Sequence, residues 1–183
     1  MIYHFSLSWV AIVLGLIYTL AHLPGLLWPG PVRSGALQFP RHLPTGLVLT
    51  FIASVWWVTL LATTDLGEFS VYRNTLLTIS IVLLTLTMLL VHQFLAVRGL
   101  ALLLLLGAQV ILDAAFLLDT PVRLVMTVLA YVWATTGIAL IISPYRLRDF
   151  IEWASRSESR FRGLSWGGVV FGVFLLILGI FIY

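Results

Sequence analysis

The residues in this chain whose types could do chemistry are few, and most are polar groups set inside apolar runs. Asp113 is the most informative. It is the one carboxylate in LALLLLLGAQVILDAAFLL, positions 100–118. A charge in hydrocarbon is costly, so a carboxylate there implies either a partner or a function. Gln109 precedes it by four residues and shares its helix face. Arg123 opens the next, antiparallel span at similar depth, so an Asp113–Arg123 ion pair stapling the two spans is the first expectation. The alternative continues the polar face along Thr127, Tyr131 and Thr135, spaced four apart. With Gln109 and Asp113 these would line a ligand cavity or a proton path, although Thr and Tyr hydroxyls also serve as interhelical glue.

Histidines give a second lead. His22 and His92 lie near the same end of two spans that run in the same direction, with His42 in a loop close by. Two imidazoles facing one another across a helix pair can ligate haem iron axially, and Arg33, Arg41 or Arg98 would then meet the propionates. The same residues could hold a quinone head group. The ordinary reading of an interfacial histidine is a hydrated or hydrogen-bonded side chain. Haem b or quinone is therefore the lesser expectation, and no cofactor or metal is predicted.

A third set is glycine. Gly163 and Gly167 are four apart, as are Gly168 and Gly172, and Gly179 follows seven later. Such spacing lets helix backbones touch and gain van der Waals contact, which matters where lipid supplies no hydrophobic drive. The face serves either a partner subunit or second copy, or packing within the chain. Enzyme signatures are missing. There is no GxSxG elbow, HExxH, P-loop or paired-carboxylate motif, and with no cysteine a thiolate nucleophile or thiolate metal site is excluded. A non-enzymatic protein is expected.

These residues must be positioned by helices in a membrane. The 183 residues are 61% hydrophobic and only 9% charged, with mean hydropathy +1.11. A soluble domain carries about 25% charged residues because its surface faces water. Lipid leaves helices or closed barrels as the options, and runs such as Leu102 to Leu106, apolar on every face, exclude barrel strands. The expectation is an all-α polytopic membrane protein, one transmembrane domain over 1–183. Its six spans fall near 5–28, 45–64, 74–95, 100–118, 121–142 and 163–183. The N-terminal 27 residues lack a basic n-region and cleavage site, so they read as a retained span.

Between the spans, the four prolines of positions 29–44 predict an irregular interfacial loop, and Pro24-Gly25 a kink or end to the first helix. Arg98-Gly99 reads as a hairpin tip, and Asp119-Thr120-Pro121 as a helix start. Over 145–156, Leu147, Phe150, Ile151 and Ala154 follow i, i+3, i+4, i+7, with Arg148–Glu152 and Glu152–Arg156 as expected ion pairs. That pattern predicts an amphipathic helix lying in the interface.

All ten basic residues are arginine. Arg33, Arg41, Arg98, Arg146, Arg148, Arg156, Arg160 and Arg162 fall on one side of the six spans, and only Arg73 and Arg123 on the other. The positive-inside rule puts the eight in the cytoplasm and both termini outside, in the cytoplasmic membrane. Arginines beside spans address lipid headgroups, so no nucleic-acid partner is expected. In size and span count alone the chain is similar to the substrate-binding membrane subunits of energy-coupling vitamin importers, a likeness that carries no function. The first functional expectation is a non-catalytic accessory or structural subunit docking through the last span and the interfacial helix. A small-molecule binding or transport subunit around Asp113 is the second, and a redox module on His22 and His92 the third.

Overall fold

The computed structural model describes residues 5–116, 118 and 120–183. Among these the regular structure is entirely helical: α1 Leu7–Leu27, α2 Pro29–Gln38, α3 Leu43–Thr63, α4 Arg73–Leu90, α5 Leu95–Ala115, α6 Arg123–Ile142, α7 Tyr145–Ser155 and α8 Glu158–Phe181. Six of them (α1, α3, α4, α5, α6 and α8) are long and apolar enough to cross a bilayer.

Close helix crossings at small residues build the bundle. α1 and α8 lie antiparallel along their whole length, with Ser8 Oγ donating to Gly179 O at one end and Gly25 against Ser165 at the other. A Cβ added at Gly15 would stand 2.7 Å from Gly172 O, and one added at Gly172 would stand 2.8 Å from Gly15 O. Two facing glycines thus bring the backbones together, where dispersion must replace the hydrophobic effect. The α3–α5 crossing repeats the device with Gly46 against Ala96 N and Gly99 against Thr50 N. Gly137 of α6 does the same against Ala101 O of α5. The main core gathers Leu7, Ala11, Ile111, Met126, Ala130 and Leu175 from α1, α5, α6 and α8. α4 is peripheral: it packs on α3 and buries none of its residues.

Several local expectations are corrected. The proline-rich stretch is helical, as α2 followed by a 3-10 turn Phe39–Arg41. Pro29 and Pro31 sit in the first turn of α2 and Pro44 in that of α3, where no intrahelical acceptor awaits their missing N–H. Pro24 stays inside α1, which runs on to Leu27. The tip between α4 and α5 is residues 91–94, closed by Phe94 in the left-handed region at φ 56°, not by Arg98-Gly99. Gly99 is spent on the α3 crossing instead. α8 begins at Glu158, a turn earlier than expected, with Arg162 and Glu158 paired at 3.4 Å. The interfacial helix forms as α7 with the Arg148–Glu152 pair, but Arg148 also holds Asp149 at 2.6 Å, and Glu152–Arg156 is not formed. The predicted start at Asp119 lies outside the described residues; α6 begins at Arg123.

The two ends of the bundle differ in how they use arginine. At one end, Arg73 donates to Ala62 O (2.6 Å) and Thr64 O (2.7 Å), and Arg123 donates to Phe116 O (3.2 Å). Each guanidinium therefore covers carbonyls at the C-terminal end of a span, where a cation also suits the helix dipole. At the other end α2 and α7 meet, with Arg33 donating to Ser155 O.

Candidate functional site

Asp113 lies half-buried on α5, near the end that Arg123 caps. Among the described residues no ion pair joins the two. The Arg123 guanidinium reaches the α5 carbonyl of Phe116, so it joins α5 to α6 by a backbone bond. The expected polar cavity does not assemble either. Gln109 is exposed on α5, and Tyr131 is 60% exposed on α6, facing the lipid side. Thr127 and Thr135 donate to carbonyls one turn back on their own helix, Arg123 O and Tyr131 O. A helix presents groups three or four apart on one face, but which face meets a neighbour depends on the packing.

The histidines are not brought together. His22 lies in the α1–α8 seam, its imidazole against Gly168, its Nδ1 2.8 Å from Tyr18 O and its ring stacked on Tyr18 at 5.9 Å. Tyr18 is the hub of an aromatic cluster. Its hydroxyl accepts from Trp133 Nε1 at 2.8 Å, and its ring meets Phe171 edge-on at 5.2 Å. This ties α1 to α6 and α8, and a buried indole N–H finds its acceptor there. His92 instead sits in the α4–α5 loop with Arg41, Gln93, Phe94 and Arg148. A bis-histidine haem site on His22 and His92 is thus not formed.

The glycines of the last span divide into two sets. At 100° per residue, Gly168, Gly172 and Gly179 fall within roughly 40° of one another, and Gly163 and Gly167 lie roughly 140° round the helix. The first set is covered by α1, against His22, Thr19 with Gly15, and Ile12 respectively. A partner reaching those three would have to displace α1. Gly163 and Gly167 are exposed, and a Cβ on either would meet nothing. Val170, Phe174, Ile177 and Phe181 continue their face, all exposed.

Two of the cavities combine residues from several separated helices. An apolar crevice of about 580 Å³ runs between α1 and the α3, α5 and α6 helices, lined by Phe5, Trp9, Trp56, Gly107, Val110 and Trp133 among others. Gly107 lets the Trp133 ring approach α5, because a Cβ there would stand 2.7 Å from it. Sequence spacing does not reveal the crevice, since Trp9, Trp56 and Trp133 come from three distant helices. At the arginine-rich end, a second recess of about 360 Å³ is lined by Arg41, His92, Gln93, Phe94 and Arg148. The Arg148 guanidinium lies 6.0 Å from the Phe94 ring centre, and its pairing with Asp149 raises its pKa further above the usual value.

Six apolar spans closed by small-residue crossings, with interfacial helices at one end, define a multi-pass helical membrane protein. No family model matches the chain, and neither a curated protein nor a solved structure does.

Proposed function

We propose that the protein is a non-catalytic accessory or structural subunit of a membrane complex, docking through the Gly163–Gly167 face of α8. The observation that carries this reading is that both glycines stand uncovered. Glycine inside a helix costs about 1 kcal/mol relative to alanine. Gly168, Gly172 and Gly179 offset that cost through contact with α1, whereas Gly163 and Gly167 have no such return within the described chain. A second helix laid along Gly163, Gly167, Val170 and Phe174 would supply it. The partner is either another subunit or a second copy. On this reading the arginine-rich end faces the cytoplasm and both termini lie outside, because the opposite end's Arg73 and Arg123 are already committed as helix caps.

The test is the mass of the complex extracted gently from the native membrane. The Gly163→Leu, Gly167→Leu double variant should migrate as a lone chain, while Gly30→Ala, where a Cβ meets nothing, keeps the wild-type mass. An unchanged complex mass for the glycine double variant would remove this docking face.

A second reading rests on the apolar crevice. Its size suits a hydrocarbon chain or a small apolar ligand from the membrane, since ligand sites commonly span about 300–1,000 Å³. It moves the small-molecule hypothesis from Asp113 to Trp9, Trp56 and Trp133. Brominated lipid should quench tryptophan fluorescence less in a Val110→Phe variant, which narrows the crevice; equal quenching would reject it.

A further inference from the structure

The recess at the arginine-rich end brings together groups from three separated parts of the chain. Arg41 comes from the turn before α3, His92 and Gln93 from the α4–α5 loop, and Arg148 from α7. A second hollow of about 520 Å³ shares His92, Gln93 and Phe94 and adds Arg98 from the first turn of α5. The loop between them is shaped by Phe94, the only non-glycine residue with positive φ among those described. A left-handed phenylalanine is strained, and such strain persists where surrounding structure enforces it. The N-terminus of α5 begins at this point without a side-chain cap, adding its positive dipole end to the same place.

The charge is only partly balanced from within. Arg148 holds Asp149 and Glu152, but among the described residues no ion pair involves Arg41 or Arg98. Arg98 Nε is also buried without a hydrogen-bond partner. Arg41 and Arg148 line the recess and Arg98 the hollow beside it, with His92 and Gln93 common to both, a set complementary to a compact multivalent anion. Guanidinium favours phosphate, because its fork of N–H donors matches the phosphate oxygens.

We propose that this recess binds a phosphate-bearing anion, held by Arg41 and Arg148 with His92 and Gln93, and drawn in by Arg98. The phosphate belongs either to an anionic lipid headgroup or to a soluble phosphomonoester, and the recess reads the same chemistry in both. The proposal is independent of the α8 docking face.

Native mass spectrometry of the full chain from nanodiscs of equal phosphatidylglycerol and phosphatidylcholine tests the lipid source. One retained phosphatidylglycerol is expected, with retention falling roughly tenfold in Arg41→Gln, as for loss of one charge-assisted contact. Melting of the chain in zwitterionic micelles with added inorganic phosphate or glycerol 3-phosphate tests the soluble source, where a saturable rise in Tm is expected that Arg41→Gln and Arg98→Gln reduce. Arg162→Gln removes an equal charge elsewhere and should match wild type in both. Melting without ligand checks that each variant folds. Neither a retained anionic lipid nor a saturable shift, or an equal loss in Arg162→Gln, would overturn the proposal.

Discussion

The two glycine sets of α8 should respond to alanine with opposite signs. At Gly172 the added Cβ would stand 2.7 Å from Thr19 N and 2.8 Å from Gly15 O. Both are backbone atoms and cannot rotate aside, so the α1–α8 seam must part along its length. Overpacking of this kind costs about 1–3 kcal/mol, and the helix-propensity gain of alanine over glycine returns at most about 1 kcal/mol. Gly172→Ala should therefore lose roughly 1–2 kcal/mol. At Gly167 nothing lies within reach of the new methyl group, so only the propensity term remains and Gly167→Ala should gain up to about 1 kcal/mol in the isolated chain. The assay is reversible unfolding in mixed micelles followed by tryptophan fluorescence, for which the chain's seven tryptophans provide signal. The informative quantity is the difference between the variants, roughly 2–3 kcal/mol. If Gly172→Ala were as stable as Gly167→Ala, the seam would not be the close backbone contact described, and the assignment of the glycines to two faces would fail.

Other outcomes follow from the polar contacts. Arg123→Gln should lose roughly 1 kcal/mol with its bond to Phe116 O, and a double-mutant cycle with Asp113→Asn should show coupling below about 0.5 kcal/mol. A coupling well above that would reinstate the ion pair. Tyr183 donates its hydroxyl to Val122 O at 2.7 Å, and burial raises its pKa above the ordinary 10.0. The folded chain then holds this proton more tightly than the unfolded chain, so stability is full below pH 10 and declines as pH rises through the folded value. Tyr183→Phe should lose about 1 kcal/mol at neutral pH and flatten that alkaline decline; an unchanged decline would assign it to another group. Because the chain has no cysteine, Ser157→Cys and Phe69→Cys report the two ends cleanly. A membrane-impermeant thiol reagent on intact cells should label only Phe69→Cys, and the reverse pattern would invert the topology.

Much of the architecture is legible in the sequence, because long apolar runs and the length of a helix across a bilayer leave little freedom. The all-helical class, the six long apolar helices and the amphipathic α7 are those that hydropathy and periodicity predict, while the ends of α4, α5 and α8 shift by about a turn. Local chain reversals are less legible. Gly99 carries a turn signal but serves the approach of Thr50, while Phe94, with no turn signal, takes the left-handed conformation. Proline misled similarly, since its effect depends on whether it falls in a first turn, as Pro29 and Pro31 do. The candidate site was least legible. Gln109, Asp113 and Tyr131 share spacing without sharing a cavity, because spacing defines a face and only packing decides what the face meets. His22 is absorbed by Tyr18 and Gly168 for the same reason. The division of the glycines, however, is present in their numbering: at 100° per residue Gly163 and Gly167 cannot share a face with Gly168 and Gly172.

The central claim is that α8 presents an uncovered stripe to another membrane helix, and disulfide or short bifunctional cross-linking in the native membrane tests it most directly. Val170 is 60% exposed on the Gly163–Gly167 face, and Val128 of α6 is equally lipid-facing at 61% but lies off it. In the cysteine-free chain, Val170→Cys should give one discrete cross-linked species and Val128→Cys none. Equal cross-linking from both positions, or none from Val170→Cys, would contradict the account and leave Gly163 and Gly167 facing lipid.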